Sequence, residues 1–273
     1  GDVVLLPDPG YPVFEAGSYL GGAEVYYYPL LRENNFLPVI EDIPEDVLNK
    51  TKYIVLSYPS NPVGASAPKE MYVRMIEYAK KYNFAIINDN AYSDIIFDGR
   101  EGFSFLSLPG AKDVGVEFFS LSKSYNVTGL RISFCIGNKS IIDAFKLLRS
   151  QYDFGMSYPA QKAAIAALRG PRDSVKAQCA EYQRRRDALL NGLRKYGWNV
   201  PDSHGTMFVW LPVPEGYTSA SFTEALMDKA GVIGTPGTAF GPLGEGYIRF
   251  ALTKSAEELA VIADVIGQSG VLS

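Results

Sequence analysis

The sequence predicts an α/β fold: a mostly parallel sheet flanked by helices, followed by a smaller C-terminal α+β domain. Three observations carry that expectation. Up to Lys139, short β-rich runs alternate with segments of helical period. From Ser140 to Gly197, long helical stretches follow one another with short breaks. After Gly197 the order becomes strand, helix, strand, helix. A domain junction is expected in the helices near Gly170, dividing the chain into residues 1–170 and 171–273.

In chain order, strands are expected at Val3 to Leu6, Glu24 to Tyr28, Tyr53 to Ser57, Phe84 to Asn88, Gly115 to Ser120 and Leu130 to Ile136, bounded by Pro, Gly, Asn and Ser. The clearest helix between them is "KEMYVRMIEYAKKY". Met71, Met75, Ile76 and Ala79 fall on one of its faces, and Pro68 stands near its start. "SIIDAFKLLRSQY", "YPAQKAAIAALRG" and "RDSVKAQCAEYQRRRDALLNGLRKYG" supply the helical middle. Strand "TMFVWLPVP", helix "SASFTEALMDKAG", strand "GYIRFAL" and a helix from about Ser255 complete the chain.

Composition narrows the chemistry. With 273 residues, of which 47% are hydrophobic and 21% charged, the chain needs neither disulfides nor a structural metal to build a core. No apolar run reaches the length of a membrane span, and a cytoplasmic location is expected. The net charge of −4 leaves no broad basic footprint, so nucleic acid is not an expected partner; the triplet in "QRRRD" reads as one solvated helix face. Cys135 and Cys179 are too few and too far apart for a zinc motif, and read as buried thiols. The single histidine, His204, cannot build a multi-histidine metal site and reads as loop or cleft packing. Chemistry must therefore run on lysine, carboxylate, tyrosine and arginine, or on a bound cofactor.

In parallel sheets ligands gather at the carboxyl ends of strands. There "YIVLSYPSNPVG" ends in Asn61-Pro62, "FAIINDNAYSDI" in Asp89 with Tyr92 three residues on, and "VGVEFFSLSK" in Ser120, Ser122 and Lys123. Each has a plain structural reading: a turn, a helix cap, a solvated lysine. Together they deliver a carboxamide, a carboxylate, a phenol and an amine to one rim. Pyridoxal phosphate asks for such a set: an amine for its aldehyde, an acid at its ring nitrogen, donors at its phenolic oxygen, and hydroxyls with a guanidinium for its phosphate.

The segments "SYPSNPVG", "NDNAYSDI", "SLSKSYNVTGLR" and "GYIRFAL" resemble the signature segments of fold-type I, class I/II aminotransferases, closest to the LL-diaminopimelate aminotransferase-like and aspartate aminotransferase-like branch. The resemblance runs from Gly1 nearly to the C-terminus. It implies that Lys123 is the Schiff-base lysine, that Ser120 and Arg131 bind the cofactor phosphate with Ser122 beside them, and that Asp89 pairs with the pyridine nitrogen. It further implies that Asn61 and Tyr92 hold the phenolic oxygen, that Tyr11 of "PDPGYPVF" stacks on the ring, and that Arg249 clamps the substrate α-carboxylate. The activity implied is amino-group transfer between an L-amino acid and a 2-oxo acid, in a homodimer.

The resemblance also implies a longer chain. Gly1-Asp2 leads straight into a strand, which reads as a domain cut mid-way, without the family's N-terminal segment and its share of the phosphate cup. For 273 residues alone, weak cofactor binding and little activity are expected. Leu130, where diaminopimelate-type relatives tend to carry tryptophan, and the lack of arginine in "YDFGMSYPAQ" weaken an assignment to diaminopimelate or aspartate and favour a broad transaminase. The alternatives are a β-lyase or synthase on the same fold, a cofactor-sensing domain of a transcription regulator, or a non-catalytic fragment.

Overall fold

The computed structural model describes residues 1–272. In chain order the elements are β1 (Val3–Asp8), α1 (Val13–Leu20), β2 (Glu24–Pro29), α2 (Glu45–Lys50), β3 (Thr51–Leu56), α3 (Lys69–Tyr82) and β4 (Ala85–Asp89). There follow α4 (Ala111–Val114), β5 (Gly115–Ser120), α5 (Leu121–Ser124), β6 (Ser133–Gly137), α6 (Lys139–Ser150), α7 (Tyr158–Arg169) and α8 (Asp173–Lys195). The last are β7 (Phe208–Pro212), α9 (Ser219–Ala230), β8 (Thr235–Pro236), β9 (Tyr247–Ala251) and α10 (Ala256–Gln268).

Six strands form one sheet in the order β2-β1-β3-β4-β5-β6. The first five run parallel and β6 returns antiparallel to β5. The order reverses at β1, whose two neighbours are β2 and β3, so the carboxyl ends of β1, β3, β4 and β5 lie side by side along one edge. Leu5, Ile54, Leu56 and Ile86 are wholly buried in the sheet, and α3 closes over them. The anticipated face of that helix, Met71, Met75, Ile76 and Ala79, is the buried one. Removing each large side chain from water contributes about 1.5–3 kcal/mol. Asn83 then stops the helix in the left-handed conformation, its N–H returning to the Ala79 carbonyl.

A second, antiparallel sheet has the order β7-β9-β8. Its core joins Val209, Leu211, Ile248 and Phe250 to Leu189, Leu190 and Leu193 of α8 and Leu259 and Ile266 of α10. The two helices meet at Gly192, where an added Cβ would stand 2.5 Å from that of Ala263. Tyr92, Ile95 and Phe97, which follow β4, belong to this second core and tie it to the large sheet. None of the helices among the described residues is long and apolar enough to cross a membrane.

Three expectations need correction. The strand expected at Leu130 to Ile136 begins only at Ser133, because Thr128–Leu130 form a 3₁₀ turn and Arg131 adopts a left-handed backbone (φ 51°). The arginine triplet is not one solvated face, because successive helical residues point about 100° apart. Arg186 is buried and pairs with both Asp98 oxygens (2.7 Å each), while Arg184 lies exposed against Glu181 and Glu257. The two cysteines are half-buried rather than buried; the Cys179 thiol donates to the Ile96 carbonyl (3.2 Å).

Candidate active site

The carboxyl edge of the large sheet collects the candidate residues. Tyr11 leaves β1 through the cis Asp8-Pro9 bond and is exposed, its ring edge-on to Phe14 at 5.9 Å. Gly10, just before it, donates its N–H to the Phe240 carbonyl, which pins this turn to the C-terminal part of the chain. Asn61 follows β3 and opens a cis bond to Pro62.

Asp89 closes β4 in register with Phe118 of β5. Its Oδ1 accepts the Ala91 N–H (3.2 Å), and burial, only partly offset by that bond, raises its pKa to about 6. A half-buried carboxylate without a salt-bridge partner among the described residues is poised to receive a cation. A folded-state pKa raised from 3.8 to about 6 also means that the folded chain holds this proton more tightly than the unfolded chain. The associated stability is therefore full below pH 3.8 and is lost as pH rises through about 6. Denaturant titrations across that window are expected to show this decline in the unliganded chain and to lose it in Asp89→Asn.

The residues flanking Asp89 are fixed from below. Asn88 and Asn90 both donate to Glu117 Oε1 (2.9 and 2.8 Å), which also accepts the Phe105 N–H, while Ser104 bonds its other oxygen. Glu117 is fully buried in β5. Sequence reasoning missed this group, although a lone carboxylate inside "VGVEFF" was the available signal.

On β5, Ser120 caps α5 by accepting the Ser122 N–H (3.2 Å), which places Lys123 in the first turn beyond the strand. The Ser122 carbonyl accepts from Thr128 Oγ1 and that of Lys123 from Gln178 of α8, so the turn is held from both sides. Arg131 is exposed, and its guanidinium donates to the Thr128 carbonyl (3.3 Å). A left-handed backbone is uncommon for a residue with a side chain, and such conformations cluster at binding sites.

Arg249, in β9 of the small sheet, reaches back 188 positions to donate from Nη1 to Asn61 Oδ1 (2.8 Å). Its guanidinium lies over the Phe208 and Phe240 rings at 4.0 and 4.5 Å, and its buried Nε has no partner among the described residues. Because the Asn61 oxygen faces a donor, its amide NH₂ is left to donate elsewhere. Tyr92 is buried beside Phe208; burial and the nearby Asp89 charge push its phenol above the ordinary value, with Arg249 opposing them. The phenol therefore stays protonated and serves as a donor.

The structure thus brings Asn61, Arg249, Tyr92, Asp89 and Tyr11 into one electrostatic neighbourhood, and sets Ser120, Ser122, Lys123 and Arg131 on the adjoining strand end.

Residues 1–266 match the family profile described as aminotransferase class I and II. The chain belongs to that family. Among curated members of the class I and II aminotransferases, it is 51% identical over 259 residues to the LL-diaminopimelate aminotransferase of Dehalococcoides mccartyi strain 195, covering 95% of this chain and 67% of that protein. It is 45% identical to the enzyme of the same name from Moorella thermoacetica, covering 95% and 66%. The chain therefore spans about two thirds of the length of these relatives. Among solved structures, substrate-bound BacF from Bacillus subtilis superposes with a TM-score of 0.95 at 36% identity, over 99% of this chain and 69% of that one. A probable N-succinyldiaminopimelate aminotransferase from Thermus thermophilus superposes with a TM-score of 0.92 at 32% identity, over 98% and 72%. Class I and II aminotransferases of this kind depend on pyridoxal phosphate. The donor set fits that cofactor: a half-buried carboxyl of raised pKa suits a pyridinium nitrogen, two uncharged donors suit its phenolic oxygen, and a hydroxyl-capped turn followed by a guanidinium suits a phosphate.

Proposed function

We propose that this chain carries the catalytic core of an aminotransferase whose amino donor is of the LL-diaminopimelate class. The observation that carries the reading is the Arg249–Asn61 hydrogen bond, which sets a guanidinium from one sheet against the cofactor-facing edge of the other. The names and identities of the curated relatives support the choice of donor, and outweigh the expectation of a broad transaminase drawn from Leu130 and the arginine-free segment. Residues 1–170 would form the cofactor-holding unit and 171–273 the unit that brings Arg249 to it.

When bound, pyridoxal phosphate supplies an aldehyde carbon and an electron-withdrawing ring. Asp89 would hold the proton on the ring nitrogen, and Asn61 and Tyr92 would donate to the phenolic oxygen. Ser120, Ser122 and Arg131 would hold the phosphate, and Tyr11 would supply an aromatic face for the ring. Arg249 grips the substrate α-carboxylate with its planar fork, which orients the Cα–H. Lys123 would be the group that carries the proton between the substrate Cα and the carbon on the far side of the amino nitrogen.

Mixing the pyridoxal-phosphate-loaded protein with LL-diaminopimelate and 2-oxoglutarate is expected to yield glutamate faster than the same assay with L-aspartate. Arg249→Ala is expected to raise KM for the donor about 10- to 100-fold, the loss of charge-assisted hydrogen bonds. Faster turnover of aspartate would refute the choice of donor. Ammonia release without a new amino acid would place the chain among the lyases instead.

A further inference from the structure

Beside the Arg249–Asn61 contact, a cavity of about 480 Å³ opens between the turn after Pro62 and the small sheet. Five buried side-chain polar atoms lack a hydrogen-bond partner among the described residues, and three of them, Ser66 Oγ, His204 Nδ1 and Trp210 Nε1, belong to residues that line this cavity. In native proteins about nine in ten or more buried polar groups are paired with protein or ordered water, so the wall of this cavity holds an unusual share of unmet polar atoms. Trp210 is the most telling, being 3% exposed with an indole N–H that can only donate. By contrast the other tryptophan, Trp198, donates to the Pro212 carbonyl (2.9 Å).

Charge and shape then define the occupant. Arg32 and Arg100 line the cavity, and neither makes a salt bridge among the described residues. The carboxylate in the lining, Asp202, is already neutralised by Arg194 (2.6 Å). Phe36, Val63 and the stacked rings of Trp210 and Tyr247 supply an apolar wall.

We propose that this cavity is a second binding site, taking a small organic anion with an apolar body, of the aromatic carboxylate class. The anion faces Arg32 and Arg100, and the body lies on the Trp210–Tyr247 stack, close enough to shift the Trp210 indole resonance. The proposal does not rest on the transaminase reading, and its test needs no cofactor.

Benzoate is the probe, followed through the two indole N–H resonances of the ¹⁵N-labelled chain. The Trp210 resonance is expected to move saturably and that of Trp198 to stay. Arg32→Ala/Arg100→Ala should weaken the apparent affinity about tenfold or more, and neutral benzamide should bind correspondingly less well. Trp210 stands directly opposite Arg249 in the β7–β9 register, so benzoate on the Arg249 clamp is the competing explanation. Retention of the response in Arg249→Ala supports the second site. Loss of the response in Arg249→Ala with its survival in the double arginine variant would overturn the proposal, as would a Trp210 resonance that benzoate leaves unmoved.

Discussion

Lys123→Ala is expected to lower transamination by about 10³-fold or more while leaving the fold intact. The residue is half-buried, it sits in a turn held by backbone and Ser120 contacts, and the one hydrogen bond it provides to a distant element comes from its backbone carbonyl, which alanine retains. What alanine removes is the amine, and with it the group that carries the proton from Cα; positioned proton transfer contributes about 10²–10⁴-fold by itself. Thermal unfolding and turnover measured on the same preparation separate the two effects. Normal turnover by the variant would remove the lysine from the mechanism, and a collapsed melting transition would make its role structural.

The largest expected loss of stability lies far from that chemistry. Arg186 is 5% exposed, and both oxygens of Asp98 reach its guanidinium at 2.7 Å, with Asp187 and the Ser203 carbonyl completing the shell above the Phe97 ring. Asp98→Ala leaves a buried guanidinium with two of its bonds unmade. Asp98 is itself partly solvated, which discounts the cost, and about 2 kcal/mol is expected. Arg184→Ala, on the solvent side of the same helix, is expected to give no resolvable loss. Urea titrations of the two variants check the contrast; equal losses would show that burial does not decide the value of these pairs.

The contrast also marks what the chain's pattern of residues discloses. Period alone placed α3 and its buried face, because Met71, Met75, Ile76 and Ala79 repeat at helical spacing over 14 residues. The parallel strands were legible in the same way, and with them the rim on which Asn61, Asp89, Ser120 and Lys123 stand, since parallel strands all end on one side. β8 was not legible, because two residues carry no period and this strand exists only through its pairing with Arg249 and Ile248. The Arg131 turn delays the start of the expected strand to Ser133, because a left-handed residue leaves no trace in hydrophobicity. Contacts between distant segments were beyond local reading altogether. Arg186 with Asp98, Asn88 with Glu117, and Arg249 with Asn61 join positions 88, 29 and 188 apart, and only the packed sheets bring them together.

The central claim is that the Lys123 amine meets an aldehyde whose ring nitrogen is held by Asp89. Borohydride reduction of the chain mixed with pyridoxal phosphate, followed by peptide mass mapping, tests it most directly. One cofactor-sized mass increment on the peptide containing Lys123, greatly reduced in Asp89→Ala, is the expected result. An increment spread over several surface lysines, or one on Lys123 that is indifferent to Asp89, would contradict the account.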